Sequence, residues 1–521
     1  MALSERDKIA HLLRRAGFAA RPEEIEAGVA QGLQATVDQL VNFESVPDNL
    51  PLPPAGLNTN TERGGPPQGY LELVRGWWLN AMIKTTRPLQ EKMVLFWHHL
   101  FATAVGGDVE QRHIYLQNEN FRGNFNPDTG QVVRPRNPVN PFPVGNFRQI
   151  LEFLSKDPAM LYWLDNVLNR RKDSEVGTNE NYARELQELF SLGVLDVVAQ
   201  VPNYTERDVR QASRALTGWT VLGTRNNPFG DNFPRRFVFN ANQHDFGPYE
   251  HLGKQGGSNA DFIFDNIVQH RNAGQQQTAC GRFLGYRLFK FFGYDDPEPE
   301  VINALADVFD SGTPRYTIKN MLATMFTPGN LVSEAFYSET AFKAHIKSPT
   351  EYVVSMYRLL KPEGIPLIYP TEGTYERLDV PRELTNIMSS MNQMGQTLFA
   401  PFDVSGWKDG ANWINTTFDL ARFNYANTFI KSGDGRTPAN VDVARLLAQN
   451  QLQTPEQIVD YFTSLLFQTS VSSEARTTMI NYLLMQSDGT PGAWVLNQQT
   501  IDNKVRGLLH LMMSSPEFQF S

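Results

Sequence analysis

At 521 residues the chain exceeds what one hydrophobic core usually organises, so two or three subdomains are expected. Its 41% hydrophobic and 20% charged residues are an ordinary balance for a globular protein. The 47 basic against 56 acidic residues give a net charge of −9, and no basic block is interleaved with aromatics, which argues against nucleic acid as a partner.

The one cysteine, Cys280, excludes an intramolecular disulfide framework and a thiolate metal cluster. Flanked by Ala279 and Gly281, it is expected as a small core residue. No apolar run reaches the roughly 18 residues of a membrane-spanning helix. The opening MALSERDKIAHLLRRAGF lacks the apolar core of a secretory signal, and the sequence assigns no compartment.

Residues 4–45 read as two helices. Ser4 caps the first, Gly17-Phe18 breaks it, and Arg21-Pro22-Glu23 opens a second with the stripe Ile25, Val29, Leu33, Val37 and Leu40. A surface loop is expected over residues 46–67. Helical pattern returns over 71–103, with Pro88 in a first turn, and over 110–121. Residues 122–146, with prolines too dense for regular structure, read as an irregular insertion elaborating the surface. Helices resume at 147 and after the cap Asp157-Pro158.

Residues 178–220 are the best-punctuated stretch. Thr178 is placed to cap one helix, Gly193 to end it, Thr205 with Asp208 to box the start of a second, and Gly218 to close that one. Residues 221–260 are rich in Gly, Asn and aromatics, and 235–240 alternate like a strand, the pattern of a hairpin or lid. Helical patterns then follow to the end, interrupted by turn-rich residues 361–415. The expected fold is mainly α: a multi-helix globular array with a small irregular or β-hairpin insertion around 221–260. The expected parts are 1–45, a body at 68–360 carrying the insertion 123–144, and 361–521, packed as one unit.

Several polar groups lie where packing does not ask for them. In FWHHLF, His98 and His99 point about 100° apart on a helix, so at most one faces any given site. Glu185 and Glu188 share a helix face, with Arg184 four before Glu188. Two carboxylates with a histidine from a facing helix are half of a bundle-type metal site. However, Glu-x-x-His occurs only as Glu110-Gln111-Arg112-His113, so ion pairing of Arg184, Arg210 or Arg214 is the simpler account and no metal or cofactor is assigned. His244 and Asp245 lie in a glycine-closed loop, as an acid–base pair, metal ligands or a turn. Asp165, near a helix C-terminus, opposes the dipole and should have a compensating partner. Lys347 offers a base near a turn, and Trp407 and Trp413 flank a Gly/Trp turn suited to packing or an aromatic groove. Nucleophile-elbow, Walker and dinucleotide motifs are absent.

Together HLLRRAGF, EKMVLFWHHLFAT, NFRQILEFLSKDPAMLYWLDN, NENYARELQELFSLGV, YTERDVRQASRALTGWT, HDFGPYEHLG, KSPTEYVV and GWKDGANWI resemble, in order, the bacterial family called domain of unknown function 1800. The resemblance implies a largely helical protein, usually exported and often encoded beside a sulfatase/phosphatase-like partner, with no established reaction. Relatives often carry His-x-His where Leu100 stands here, which weakens a metal reading of His98. The residues point to an enzyme doing hydrolytic or acid–base chemistry on a polar substrate, such as carbohydrate or cell-envelope material, through His98, Asp165, Arg184, Glu185, Glu188, His244 and Asp245. The alternative is a non-catalytic binding or assembly module with a buried ion-pair network.

Overall fold

Most of the capping signals recur as helix boundaries in the computed structural model, which describes residues 3–54, 70–171, 178–223, 235–369, 379–433, 440–486 and 488–521. Ser4 accepts the Asp7 amide at 3.1 Å and opens α1 (Glu5–Arg15). The stripe expected to run through residues 22–40 is divided between α2 (Pro22–Gln31) and α3 (Leu33–Val41). Gly32 lies between them at φ 86°, a backbone state that glycine reaches without a Cβ penalty, and it turns the chain there. Residues 55–67 of the expected surface loop lie outside the described residues.

α4 (Tyr70–Lys84), α5 (Pro88–Leu100) and α6 (Gln111–Arg122) are buried along nearly their whole length. The proline-rich residues 123–144, expected at the surface, lie partly there, with Val133 and Val139 exposed, and partly against this core. They carry the two-residue strands β1 (Phe125–Asn126) and β2 (Gln131–Val132), and Phe142 is fully buried. Its ring meets Trp97 edge-on at 5.6 Å, and the Trp97 indole donates to the Pro143 carbonyl at 2.8 Å. Proline removes backbone donors, and asparagine supplies the rest of the pairing. Asn140 donates to the Phe125 carbonyl at 2.6 Å and accepts the Phe142 amide at 2.8 Å, which satisfies two backbone groups of this irregular stretch.

α7 (Phe147–Ser155) and α8 (Pro158–Trp163) follow, with Asp157 capping α8 as read. α9 (Asn181–Glu188) starts later than expected. Asn179 Oδ1, not Thr178, accepts an amide there, that of Asn181 at 3.1 Å. Thr205 and Asp208 do box the start of α10 (Glu206–Ala215), with the Thr205 amide 2.8 Å from the Asp208 carboxylate. The strand-like residues pair antiparallel as β3 (Trp219–Leu222) with β4 (Arg236–Phe239), and β5 (Tyr249–His251) pairs with β6 (Lys254–Gly256). The tip of the expected lid, residues 224–234, lies outside the described residues.

The second half is α11 (Ala260–Gln269), α12 (Ala279–Phe292), α13 (Pro299–Ser311), α14 (Ile318–Phe326), α15 (Leu331–Phe336), α16 (Pro349–Leu360), α17 (Arg382–Gln393) and α18 (Thr416–Ile430), followed by shorter C-terminal helices. α16 packs on α4, and α18 packs on the helix Arg506–Ser514. The buried side chains form one connected cluster reaching from Ile9 to Phe518, which makes this a mainly α array with small hairpins. Cys280 is fully buried within it, and burial pushes its thiol pKa well up, which removes thiolate character. Among the described residues no helix is long and apolar enough to cross a membrane.

Candidate functional site

The eight stretches read above converge only in part, and EKMVLFWHHLFAT, KSPTEYVV and GWKDGANWI meet at a narrow cleft between α5, α12, α16 and the loop 396–413. Leu95, His99, Lys290, Asp295, His345, Glu351, Asp409 and Trp413 line it, and it offers about 40 Å³ to water-sized groups. That is room for on the order of three waters.

One wall is a carboxylate-held imidazole. Ser348 and Glu351 form a capping box at the start of α16, and Glu351 accepts the Ser348 amide at 2.7 Å. The same carboxylate is paired with Lys92 and lies 3.0 Å from His345 Nε2. Burial alone would raise the Glu351 pKa, but the Lys92 charge and hydrogen bond, the Ser348 amide and Arg15 outweigh it and hold the group ionised. An ionised carboxylate only accepts, so His345 carries its proton on Nε2 and Nδ1 is left as the basic nitrogen. The His345 side chain is 15% exposed and that of Glu351 5%, so the imidazole is the member that solvent reaches.

The opposite wall is a carboxyl pair. Asp409 lies 2.9 Å from Lys290 Nζ and 3.6 Å from His99 Nε2. Burial pushes the Asp409 pKa up, but the bonds and charges of His99 and Lys290 override it and leave it well below the usual carboxylate range. Asp295 behaves oppositely: burial raises its pKa, Lys290 opposes, and the charges of Asp409 and Asp296 add to the rise. Neighbouring carboxyls whose pKa values are pushed apart are the arrangement from which one proton donor and one fixed anion are made. Gly410 permits the approach. A Cβ there would lie 2.0 Å from Asp295 Oδ2, and its φ is +59°. Gly410→Ala is therefore expected to displace Asp295 and to cost about 1–2 kcal/mol in backbone strain, seen as a lowered melting temperature and altered emission from Trp407 and Trp413.

The adjacent histidines clip the loop to α5. His98 is buried, edge-on to Trp78 at 5.4 Å and to Trp407 at 5.2 Å, and its Nε2 accepts the Phe399 amide at 3.1 Å. His99 stacks on Trp407, with ring centroids 6.1 Å apart, and its Nδ1 accepts the Trp407 amide at 3.4 Å. Of the two, His99 lines the cleft and His98 does not. Trp407 and Trp413 are 6% and 5% exposed, so packing takes most of both indoles.

The other expected site residues gather away from the lining of this cleft. Arg184 makes two 2.8 Å bonds to Glu206 and lies 3.6 Å from Glu180. Glu188 accepts from the Tyr204 hydroxyl at 3.2 Å. Burial, then the Glu188 charge, raises the Glu185 pKa, with Arg184 opposing. His244 is fully buried, its Nδ1 2.8 Å from the Thr217 carbonyl, between Phe239 and Phe246. Asp245 is gripped by Arg214 at 2.7 and 3.2 Å. Asp165 does not have the expected carboxylate partner among the described residues. It is exposed, at φ 57°, and its backbone carbonyl takes the bond from Asn179 at 3.3 Å. The His113 imidazole accepts the Glu110 amide at 3.1 Å, a capping use. Among the described residues no group of three or more His, Cys, Asp or Glu is arranged to hold a metal ion.

Asp295, His345, Lys290 and Glu351 were not among the expected site residues; the first three lie in stretches without a distinguishing local pattern, and the capping spacing Ser348-Pro349-Thr350-Glu351 is the signal that could have pointed to Glu351. Neither a curated protein nor a solved structure matches the chain. The model of the family described as "Protein of unknown function (DUF1800)" matches residues 11–520, nearly its whole length, and the chain belongs to that family.

Proposed function

We propose that the cleft is an acid–base site performing hydrolysis on a polar substrate. The carrying observation is that a carboxylate-held imidazole and a carboxyl of raised pKa line one small, solvent-reaching space. In this reading His345 Nδ1 takes a proton from a water, whose oxygen attacks the substrate, and Asp295, in the protonated form that its raised pKa favours, gives its proton to the departing oxygen. Glu351 orients His345 and balances its transient positive charge, while Lys290 and His99 keep Asp409 anionic. The cleft admits a water and one functional group, so most of the substrate stays outside it. The charged lining of His99, Lys290, Asp295 and Asp409 favours a polar substrate, of the carbohydrate or cell-envelope kind.

The test is hydrolysis of a panel of chromogenic glycosides, esters and phosphoesters. His345→Ala and Asp295→Asn are each expected to lower turnover of the accepted member about a hundredfold with little change in melting temperature. Glu185→Gln, outside the cleft, is expected to leave it unchanged. Undiminished turnover in both cleft variants refutes the reading. Loss in Glu185→Gln alone moves the chemistry to the α9 pair. The second reading, a binding module, draws on the pairing of Lys92 with Glu351 and Lys290 with Asp409, and it predicts no turnover across the panel.

A further inference from the structure

Beside the N-terminal end of α16, and apart from the cleft chemistry, cationic side chains crowd together with too few anions. Arg14 of α1 is 4% exposed, and its Nε, Nη1 and Nη2 are buried with no hydrogen-bond partner. Its guanidinium lies 5.3 Å over the Phe342 ring. Lys343 and Lys347 stand within electrostatic reach of it. Lys343 Nζ donates to the Glu517 carbonyl at 2.9 Å, and Lys347 Nζ to the Phe518 carbonyl at 2.6 Å. Beyond Lys347, Arg422 is fully buried and bonds the Lys347 carbonyl at 2.8 Å, while its Nε and Nη1 have no partner.

The carboxylates nearby offset this positive charge only in part. Asp7 accepts from the Ser4 hydroxyl at 2.6 Å, Glu351 holds Lys92 and His345, and Glu517 is exposed. A guanidinium does not shed its proton near neutral pH, so an unpaired buried one is strongly unfavourable unless an anion reaches it. Lys343 is partly exposed and marks the route from solvent.

We propose that Arg14, Lys343 and Lys347 form a binding site for a small oxyanion of the phosphate or sulfate type. Arg14 supplies the planar fork that matches such oxygens, and the two ammonium groups supply charge. Arg422 lends further positive potential from behind Lys347.

The experiment uses the full chain, dialysed into chloride and melted in rising sodium phosphate against sodium chloride of equal ionic strength. A saturable rise in melting temperature of several degrees is expected with phosphate and with sulfate. Arg14→Met is expected to abolish the phosphate-specific rise. Lys343→Gln, at a partly exposed position whose amide can still donate to the Glu517 carbonyl, should weaken apparent phosphate affinity roughly tenfold. A wild-type response equal to that in chloride, or an unchanged affinity in Lys343→Gln, overturns the proposal. Glycerol phosphate separates the two sources of the same chemistry: a rise identifies a phosphorylated metabolite as an admissible ligand, and its failure beside a phosphate response identifies the free anion.

Discussion

Glu91→Gln is expected to lower folding stability by about 3–5 kcal/mol, read as a shift of the urea midpoint with the slope unchanged. Glu91 on α5 receives Arg122 Nε at 2.6 Å and Nη2 at 2.9 Å, and the Trp78 indole donates to it at 3.1 Å. The two side chains of this pair are 3% and 1% exposed, so water replaces none of these bonds. Glutamine keeps the shape and loses the charge. Arg122 is then left with Glu119, 3.6 Å away, which already binds Arg134 and accepts from Asn124 at 2.6 Å. Two guanidinium groups would share one carboxylate in the interior. Adding Arg122→Met should recover part of the loss, because no charge is then stranded and the methionine packs over Trp77, where the guanidinium lay at 5.2 Å. A loss below about 1 kcal/mol for Glu91→Gln would mean that the pair is solvated after all.

How far the letters reach is visible in single residues. Thr205 and Asp208 lie three apart and meet through local geometry alone, so the cap of α10 is legible. Cys280 is legible too, because an apolar neighbourhood and a small side chain leave little but burial. Gly32 is harder. A stripe with helical spacing on both sides of it conceals a break that depends on how α2 and α3 pack. The insertion 123–144 is harder for a related reason: proline density excludes helix and all but short strands and is silent on burial, which here rests on Asn140 and Phe142.

The cleft is the extreme case. His99 meets Trp407 and Asp409 across about three hundred residues of sequence, and His345 meets Glu351 only because the chain turns back onto α16. The composition of FWHHLF narrows the choice to two histidines, and helix geometry says that they diverge. Which of them faces solvent is decided by the α4–α5 packing that buries His98 against Trp78. The pKa values that make Asp295 and Asp409 distinct arise from burial and from Lys290, neither of which has a sequence signature.

Acidification through the histidine range is expected to destabilise the chain before its cation-paired carboxylates are protonated. Burial, aided by the charges of His99 and Arg75, holds His98 at a pKa of about 3 against an ordinary 6.5. His251 is likewise held down to about 3 by burial, with Asp208 opposing. The folded chain keeps these rings neutral while the unfolded chain protonates them, so stability is full above pH 6.5 and falls as pH drops from there toward 3. Each such ring removes about 1.4 kcal/mol per pH unit in that window. Asp157 works the other way. Burial raises it to about 7 from 3.8, so its contribution grows as pH falls between those values and offsets one histidine. Glu351 and Glu119, held low by their cationic partners, lose stability only below the ordinary glutamate range, and so lie outside this window. Urea titrations across about pH 7 to 4.5 should therefore show a loss of about 2 kcal/mol from His98 and His251 with Asp157 subtracted, and His11 and His99, also held low, add to it. His98→Phe fills the same aromatic box but gives up the acceptor for the Phe399 amide, which costs about 1–3 kcal/mol at neutral pH. The informative quantity is the slope: it should fall by about one proton, or 1.4 kcal/mol per pH unit, between pH 6.5 and 4.5. An unchanged slope in His98→Phe would mean that His98 takes up its proton in the folded chain as readily as in the unfolded one, and that its aromatic box is open to water.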